Sequence, residues 1–184
     1  MVIKNKMESI NVINKLGLNK FPEQLFKKNE NDKIKKFTKE YPAKYYAIRD
    51  REKPGGVFKL KVEKDNIFDE IKNYNLFSIN VSSANYVKNQ LLVGEIEILS
   101  NNEVYLTAST NPEYSVRDAL KNPTYNLKTN VFSKKLNNIK HFEEIYSYII
   151  KNELKDIIVE FALFDINVGI NKESIIIYEL RTNY

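Results

Sequence analysis

Between Ile157 and Asn183 the chain carries two strand-like runs, IIVEFALFD and SIIIYELR, joined by a polar connector that contains Gly169. Side chains alternate faces along a strand. Ile158, Glu160, Ala162 and Phe164 are therefore expected on one face of the first run, and Ile175, Ile177, Glu179 and Arg181 on one face of the second. With Gly169 in mid-connector and Asp165 opposite Ser174, Glu160 falls opposite Glu179. Like charges directly across a ladder cost about 0.2–1 kcal/mol unless something offsets them. Both faces of both runs are largely apolar, which calls for a sheet covered on two sides. A carboxylate in that setting must be paired, protonated or metal-bound. A register shifted by one residue would instead place both glutamates at a solvated edge, with Arg181 as a surface partner.

The rest of the chain alternates short helical and strand patterns. Ile10, Ile13 and Leu16 recur at helical spacing before Gly17, and Phe21-Pro22-Glu23 reads as the start of a second helix with Leu25 and Phe26 inward. A further helix carries Ile34 and Phe37, with Lys33, Lys35, Lys36 and Lys39 on its outer side. Tyr45–Arg49 and Val57–Val62 then form a hairpin around the turn Glu52-Lys53-Pro54-Gly55-Gly56, with Val57, Lys59 and Lys61 on one face of its second arm. Strands follow at 76–81, 91–99, 104–108 and 125–132, and Phe142, Ile145, Tyr146, Ile149 and Ile150 give the helix at 139–151 its inner face. The pattern is α+β, with antiparallel-rich sheets and packed helices. It reads as one domain over residues 1–184, with a small lobe at about 1–90 and a second at 91–184.

Several chemistries are excluded by residue type. The chain has no cysteine, which removes disulfides, thiolate zinc sites and cysteine nucleophiles, and its one histidine, His141, cannot build a histidine-rich metal site. No apolar run approaches the roughly 18 residues of a membrane span, and the N-terminus lacks an apolar targeting core, so a cytoplasmic location is expected. Net charge is +5, but residues 1–64 hold 17 Lys/Arg against 8 Asp/Glu, so the basic excess lies at the front. Such a surface suits phosphates, on nucleotides or on nucleic acid, or is simply solvated.

The closing runs resemble the end of the ATP-grasp domain of phosphoenolpyruvate synthases and pyruvate phosphate dikinases. Val159-Glu160-Phe161 stands where that family has I-E-[FW], and Glu179-Leu180-Arg181 where it has Q-x-R. Ala47-Ile48-Arg49-Asp50-Arg51 is similar to its phosphate-binding A-V-R-S-S segment, with Asp50-Arg51 in place of the two serines. Gly55-Gly56 stands at its phosphate-covering loop, Leu16-Gly17-Leu18 with Phe21-Pro22 at its entry, and Gly94 on its glycine-containing strand. The chain is shorter than a full domain of that family.

The resemblance implies a two-lobed protein that takes ATP and magnesium. Glu160 and Glu179 would hold the metal; Arg49, Arg51, Lys59, Lys61 and Arg181 would meet phosphates, under the Gly55-Gly56 loop. It places the two glutamates and Arg49 with Arg51 on one cleft. The activity implied is phosphoryl transfer or ATP-dependent ligation on an acceptor the sequence does not name. The alternatives are a basic nucleic-acid module, with Tyr41, Tyr45 and Tyr46 beside Lys39, Lys44 and Arg49 as a stacking surface, and a non-catalytic binding subunit that kept the fold.

Overall fold

The computed structural model describes residues 2–3, 6–52 and 56–182, with Met7 by its backbone alone. The chain divides into two compact units: a smaller one of residues 21–87, and a larger one in which residues up to Lys20 join residues 88 onward. Both are α+β with antiparallel sheets, as the patterning predicts. Among the described residues, no helix is long and apolar enough to cross a membrane.

In the smaller unit, β1 (Glu23–Lys27), β4 (Leu76–Val81), β2 (Tyr45–Asp50) and β3 (Phe58–Glu63) lie side by side in that order. The helix expected after Pro22 is β1 instead. Leu25 is 48% exposed while Phe26 is buried, the alternation of a strand, and Phe26 pairs with Phe77 of β4. Two adjacent apolar residues had read as one helix face, but an N-terminal proline serves a strand edge equally well. The helix α2 (Asn31–Glu40) sets Phe37 edge-on to Phe26 and beside Tyr46, and α3 (Ile67–Ile71) buries Ile67 and Ile71. A register shift between Tyr46 and Ile48 breaks the alternation expected of β3. Phe58 thus falls opposite Arg49, and Lys59 opposite Ile48.

The larger unit is built on a sheet in the order β7 (Tyr125–Asn130), β6 (Glu103–Ser109), β5 (Gln90–Ile98), β8 (Ile158–Val168) and β9 (Glu173–Arg181). Leu92, Ile96 and Ile98 of β5, Val104 and Leu106 of β6, and Val159, Phe161 and Leu163 of β8 make one apolar face. The helix α5 (Phe142–Lys151) adds Phe142, Ile145 and Ile149 to the same core. His141 is the residue before this helix, at φ +67°, and not a mid-helix position. The opposite face buries Val93, Ala162, Phe164 and Ile176, and α4 (Val116–Lys121) packs against β5, β6 and β8. The closing strands are therefore covered on both sides over this stretch.

The first helix, α1 (Lys6–Lys15), seals the β9 edge. Ser9 Oγ accepts from Leu180 N at 2.7 Å, and Ile3 N donates to Thr182 Oγ1 at 3.1 Å. Beyond α1, Gly17 takes φ +64°, and the buried Asn19 reaches into the turn of the closing hairpin. Its Nδ2 donates to the carbonyls of Val168 (2.9 Å), Glu173 (3.2 Å) and Ile175 (2.8 Å), while its Oδ1 accepts from Asn171 N (2.9 Å).

Candidate functional site

Glu160 lies directly opposite Glu179 in the β8–β9 ladder, the pairing that the position of Gly169 predicts. The route to it differs from simple alternation. The register shifts between Glu160 and Phe161, so Phe161 meets Ile177 and Ala162 meets Ile176. This bulge corrects the expectation that Ile175, Ile177, Glu179 and Arg181 share a face. Ile175 and Ile177 join the core with Leu180, while Glu179 and Arg181 turn to the opposite side. An extra residue in one strand reverses the facing of everything beyond it.

That opposite side gathers a third carboxylate. Glu95 of β5 lies opposite Glu160, so Glu95, Glu160 and Glu179 form a row across three neighbouring strands. Two cations sit among them. Arg181 NH2 bonds Glu95 Oε2 and lies 3.7 Å from Glu160 Oε1, and Lys6 Nζ from α1 is 2.6 Å from Glu179 Oε2. Side-chain exposure is 18% for Glu160 and 20% for Glu179, so both carboxylates are sheltered but reach solvent. Arg181 Nε is buried and makes no hydrogen bond, which leaves this guanidinium with an unused donor.

Burial, and next the charge of Glu179, push the Glu160 carboxyl above its ordinary value; Arg181 and Lys6 oppose this only in part, and Glu95 adds to it. A carboxyl raised on folding binds its proton more tightly in the native state. Its ionisation therefore costs stability as pH rises from the ordinary carboxylate range through the raised value, and costs nothing below that range. Glu160→Gln is accordingly expected to stabilise the ligand-free protein at neutral pH by about 0.2–1 kcal/mol, with the gain vanishing at acid pH. Urea midpoints at pH 7 and below pH 4 measure it, and a variant less stable than wild type at pH 7 would contradict the assignment.

The remaining candidates lie in the smaller unit. Arg51 is held by Glu23 (NH2 to Oε1, 2.7 Å) and by Ser78 (Nε to Oγ, 3.0 Å), not by the neighbouring Asp50 or Glu52. Lys59 is ion-paired with Glu70 of α3. Arg49 stacks its guanidinium over the Phe58 ring at 4.5 Å, and Lys61 is exposed. A Cβ on Gly56 would lie 2.9 Å from the Asp50 carbonyl oxygen, so a larger residue there would force the backbone to shift. Gly55 falls outside the described residues. Of the tyrosines proposed as a stacking surface, Tyr46 is fully buried, with its hydroxyl donating to the Tyr41 carbonyl at 2.9 Å.

Among the described residues, no group of three or more His, Cys, Asp or Glu is placed to hold a metal ion. A pair of carboxylates is nonetheless the donor set that magnesium takes from protein when phosphate oxygens complete its shell. Glu160 and Glu179 fit that role in chemistry and adjacency. Lys6 and Glu95 were not singled out from sequence as part of this row. Glu95 was visible beside Glu97 as a carboxylate on an otherwise apolar strand, whereas Lys6 carries no local signal.

No family model matches the chain, and no curated protein matches it in sequence. Among solved structures it is similar to D-alanyl-alanine synthetase A from Vibrio cholerae, with 14% identity and a TM-score of 0.47 over 97% of this chain and 55% of that one. It is similar to the D-alanine–D-alanine ligase from Coxiella burnetii at 8% identity and a TM-score of 0.49, covering 96% and 47%. It is also similar to N5-carboxyaminoimidazole synthetase from Staphylococcus aureus, solved with ADP, at 17% identity and a TM-score of 0.49, covering 95% and 42%. Two of these are named as synthetases and one as a ligase, and none as a phosphoenolpyruvate synthase. The chain spans about half their length. At TM-scores below 0.5 they do not decide what this chain does, and its own residues must.

Proposed function

We propose that the protein binds ATP as its magnesium complex, in the manner of an ATP-grasp protein. The observation that carries the reading is the row Glu95–Glu160–Glu179, a like-charge array on one sheet face that Lys6 and Arg181 only partly offset. A divalent cation at Glu160 and Glu179 would relieve that repulsion, and magnesium there would offset charge on the nucleotide phosphates. Arg181, with Nε unbonded, would turn from Glu95 to a phosphate oxygen. On the smaller unit Arg49, Gly56 and Lys61 remain the candidates for phosphate contact, together with Gly55. Arg51 and Lys59 would first have to leave Glu23 and Glu70. Where catalysis is retained, it would be phosphoryl transfer or ligation on a further substrate.

Thermal unfolding tests this. A ligand at 100 times its dissociation constant stabilises by about 2.7 kcal/mol, or roughly 5–10 °C for a chain of this size. Millimolar Mg-ATP is expected to give such a shift, and Glu160→Gln with Glu179→Gln to abolish it. No shift in the wild type removes the proposal; a shift undiminished in the double variant removes the metal assignment alone.

A non-catalytic binding subunit is the second reading, favoured by the existing engagement of Arg51 and Lys59. It predicts the thermal shift without ATP turnover. A nucleic-acid module has less to work with, because Tyr46 belongs to the core.

A further inference from the structure

We infer that the protein associates with a second copy of itself through the open edge of β7, joining two five-stranded sheets into one. The larger sheet has two edge strands, and they are treated differently. The β9 edge is closed from within: Ser9 Oγ takes Leu180 N, and the Asn19 carbonyl accepts from Ile177 N at 2.9 Å. At the other end, β7 is the last strand of the sheet, and Asn126, Lys128 and Asn130 are exposed.

The ladder fixes which backbone groups point outward. Val131 N donates to Asn102 O, and the register sets Thr129 opposite Val104 and Leu127 opposite Leu106. Hydrogen-bonded pairs alternate in an antiparallel ladder, so the odd-numbered residues bond to β6. The N–H and C=O of Asn126 and Lys128 therefore face away from the sheet.

These groups are self-complementary about Leu127. A two-fold axis there sets Asn126 against Lys128 of the second copy and Tyr125 against Thr129, with the two leucines facing each other. The outward backbone groups of Asn126 and Lys128 then bond reciprocally, and each apolar residue stays on the core side of the joined sheet. Leu127, Tyr125 and Val131 pack only in part against the core of one copy, and Phe132, just beyond the strand, is 83% exposed. A register moved by one step would put Lys128 against its own copy or separate the leucines.

Edge strands are ordinarily guarded by charge. The edge strand β3 follows that rule, with Lys59, Lys61 and Glu63 along its six residues. The one charge on β7 is drawn back: the Lys128 ammonium lies 4.7 Å from the centre of the Tyr105 ring and 3.8 Å from Glu103 Oε1, both on β6. It covers the sheet face and leaves the edge open.

Sedimentation equilibrium of the full chain over micromolar to millimolar concentration tests the inference. A contact this small is expected to dissociate in the micromolar range. Asn126→Lys adds two symmetry-related like-charge pairs with Lys128 and should weaken the dimer by about 2- to 30-fold. Asn126→Glu should tighten it in a salt-sensitive way. Lys128→Pro removes an outward N–H along with the exposed contacts to Tyr105 and Glu103, a substitution that edge strands tolerate, and should leave a folded monomer. A wild type that stays monomeric throughout overturns the inference. So does a dimer that responds equally to Asn126→Lys and Asn126→Glu.

Discussion

Asn19→Ala is expected to lower the stability of the larger unit by about 3–5 kcal/mol, at the severe end for a single substitution. The side chain is buried and serves three carbonyls and one N–H of the closing hairpin. Each buried polar group left without a partner costs about 1–3 kcal/mol, and water entering the turn recovers only part. The thermal midpoint should fall by roughly 6–20 °C. Amide exchange should quicken in β8 and β9 while β2 and β4 of the smaller unit keep their protection. Asn19→Asp should be worse at neutral pH, because an ionised carboxylate only accepts and would face three carbonyl oxygens. It should recover as pH falls and the acid regains a proton. A midpoint within about 2 °C of wild type for Asn19→Ala would show that the turn does not depend on this residue.

Gly94→Ala should be nearly as costly, for a steric reason. A Cβ at Gly94 would run into the Thr107 carbonyl oxygen and lie 2.5 Å from the Ala108 Cα, closer than real Cβ atoms come. The obstacle is the backbone of the neighbouring strand and cannot rotate aside. The β5–β6 pair would have to part in mid-sheet, next to Glu95. Overpacking of this kind costs about 1–3 kcal/mol, and the rigid neighbour argues for the upper end. Denaturant midpoints give the loss directly. A companion Gly17→Ala, with positive φ but nothing within 4 Å, isolates the conformational part from the clash. Equal losses at the two positions would contradict the steric account.

Much of the fold was legible because strands of period two are punctuated by turn residues. The strand expected at 76–81 is β4 as found, and Glu160 lies opposite Glu179 as expected, although two register shifts separate that pair from Gly169. What alternation could not reveal were the bulges. One residue gained near Tyr178 moves Ile177 to the core side and Glu179 away from it, and the shift beside Ile48 sets Lys59 opposite Ile48 while leaving it exposed. Phe21-Pro22 misled because proline opens helices and strand edges alike. Lys6 and Asn19 were illegible for another reason. Their partners lie more than 140 residues away, and no local pattern marks a side chain whose meaning comes from the far end of the chain.

That distance bears on the order in which the protein takes shape during synthesis. The smaller unit draws its contacts from one unbroken stretch, residues 21–87, and can fold while later segments are still being made. The helix α1 is translated before it, yet the partner of Ser9 is Leu180 and that of Lys6 is Glu179. The helix α1 must therefore wait for β9. Until then its apolar residues lack their native cover, so a nascent chain stalled before β9 should present them to chaperones.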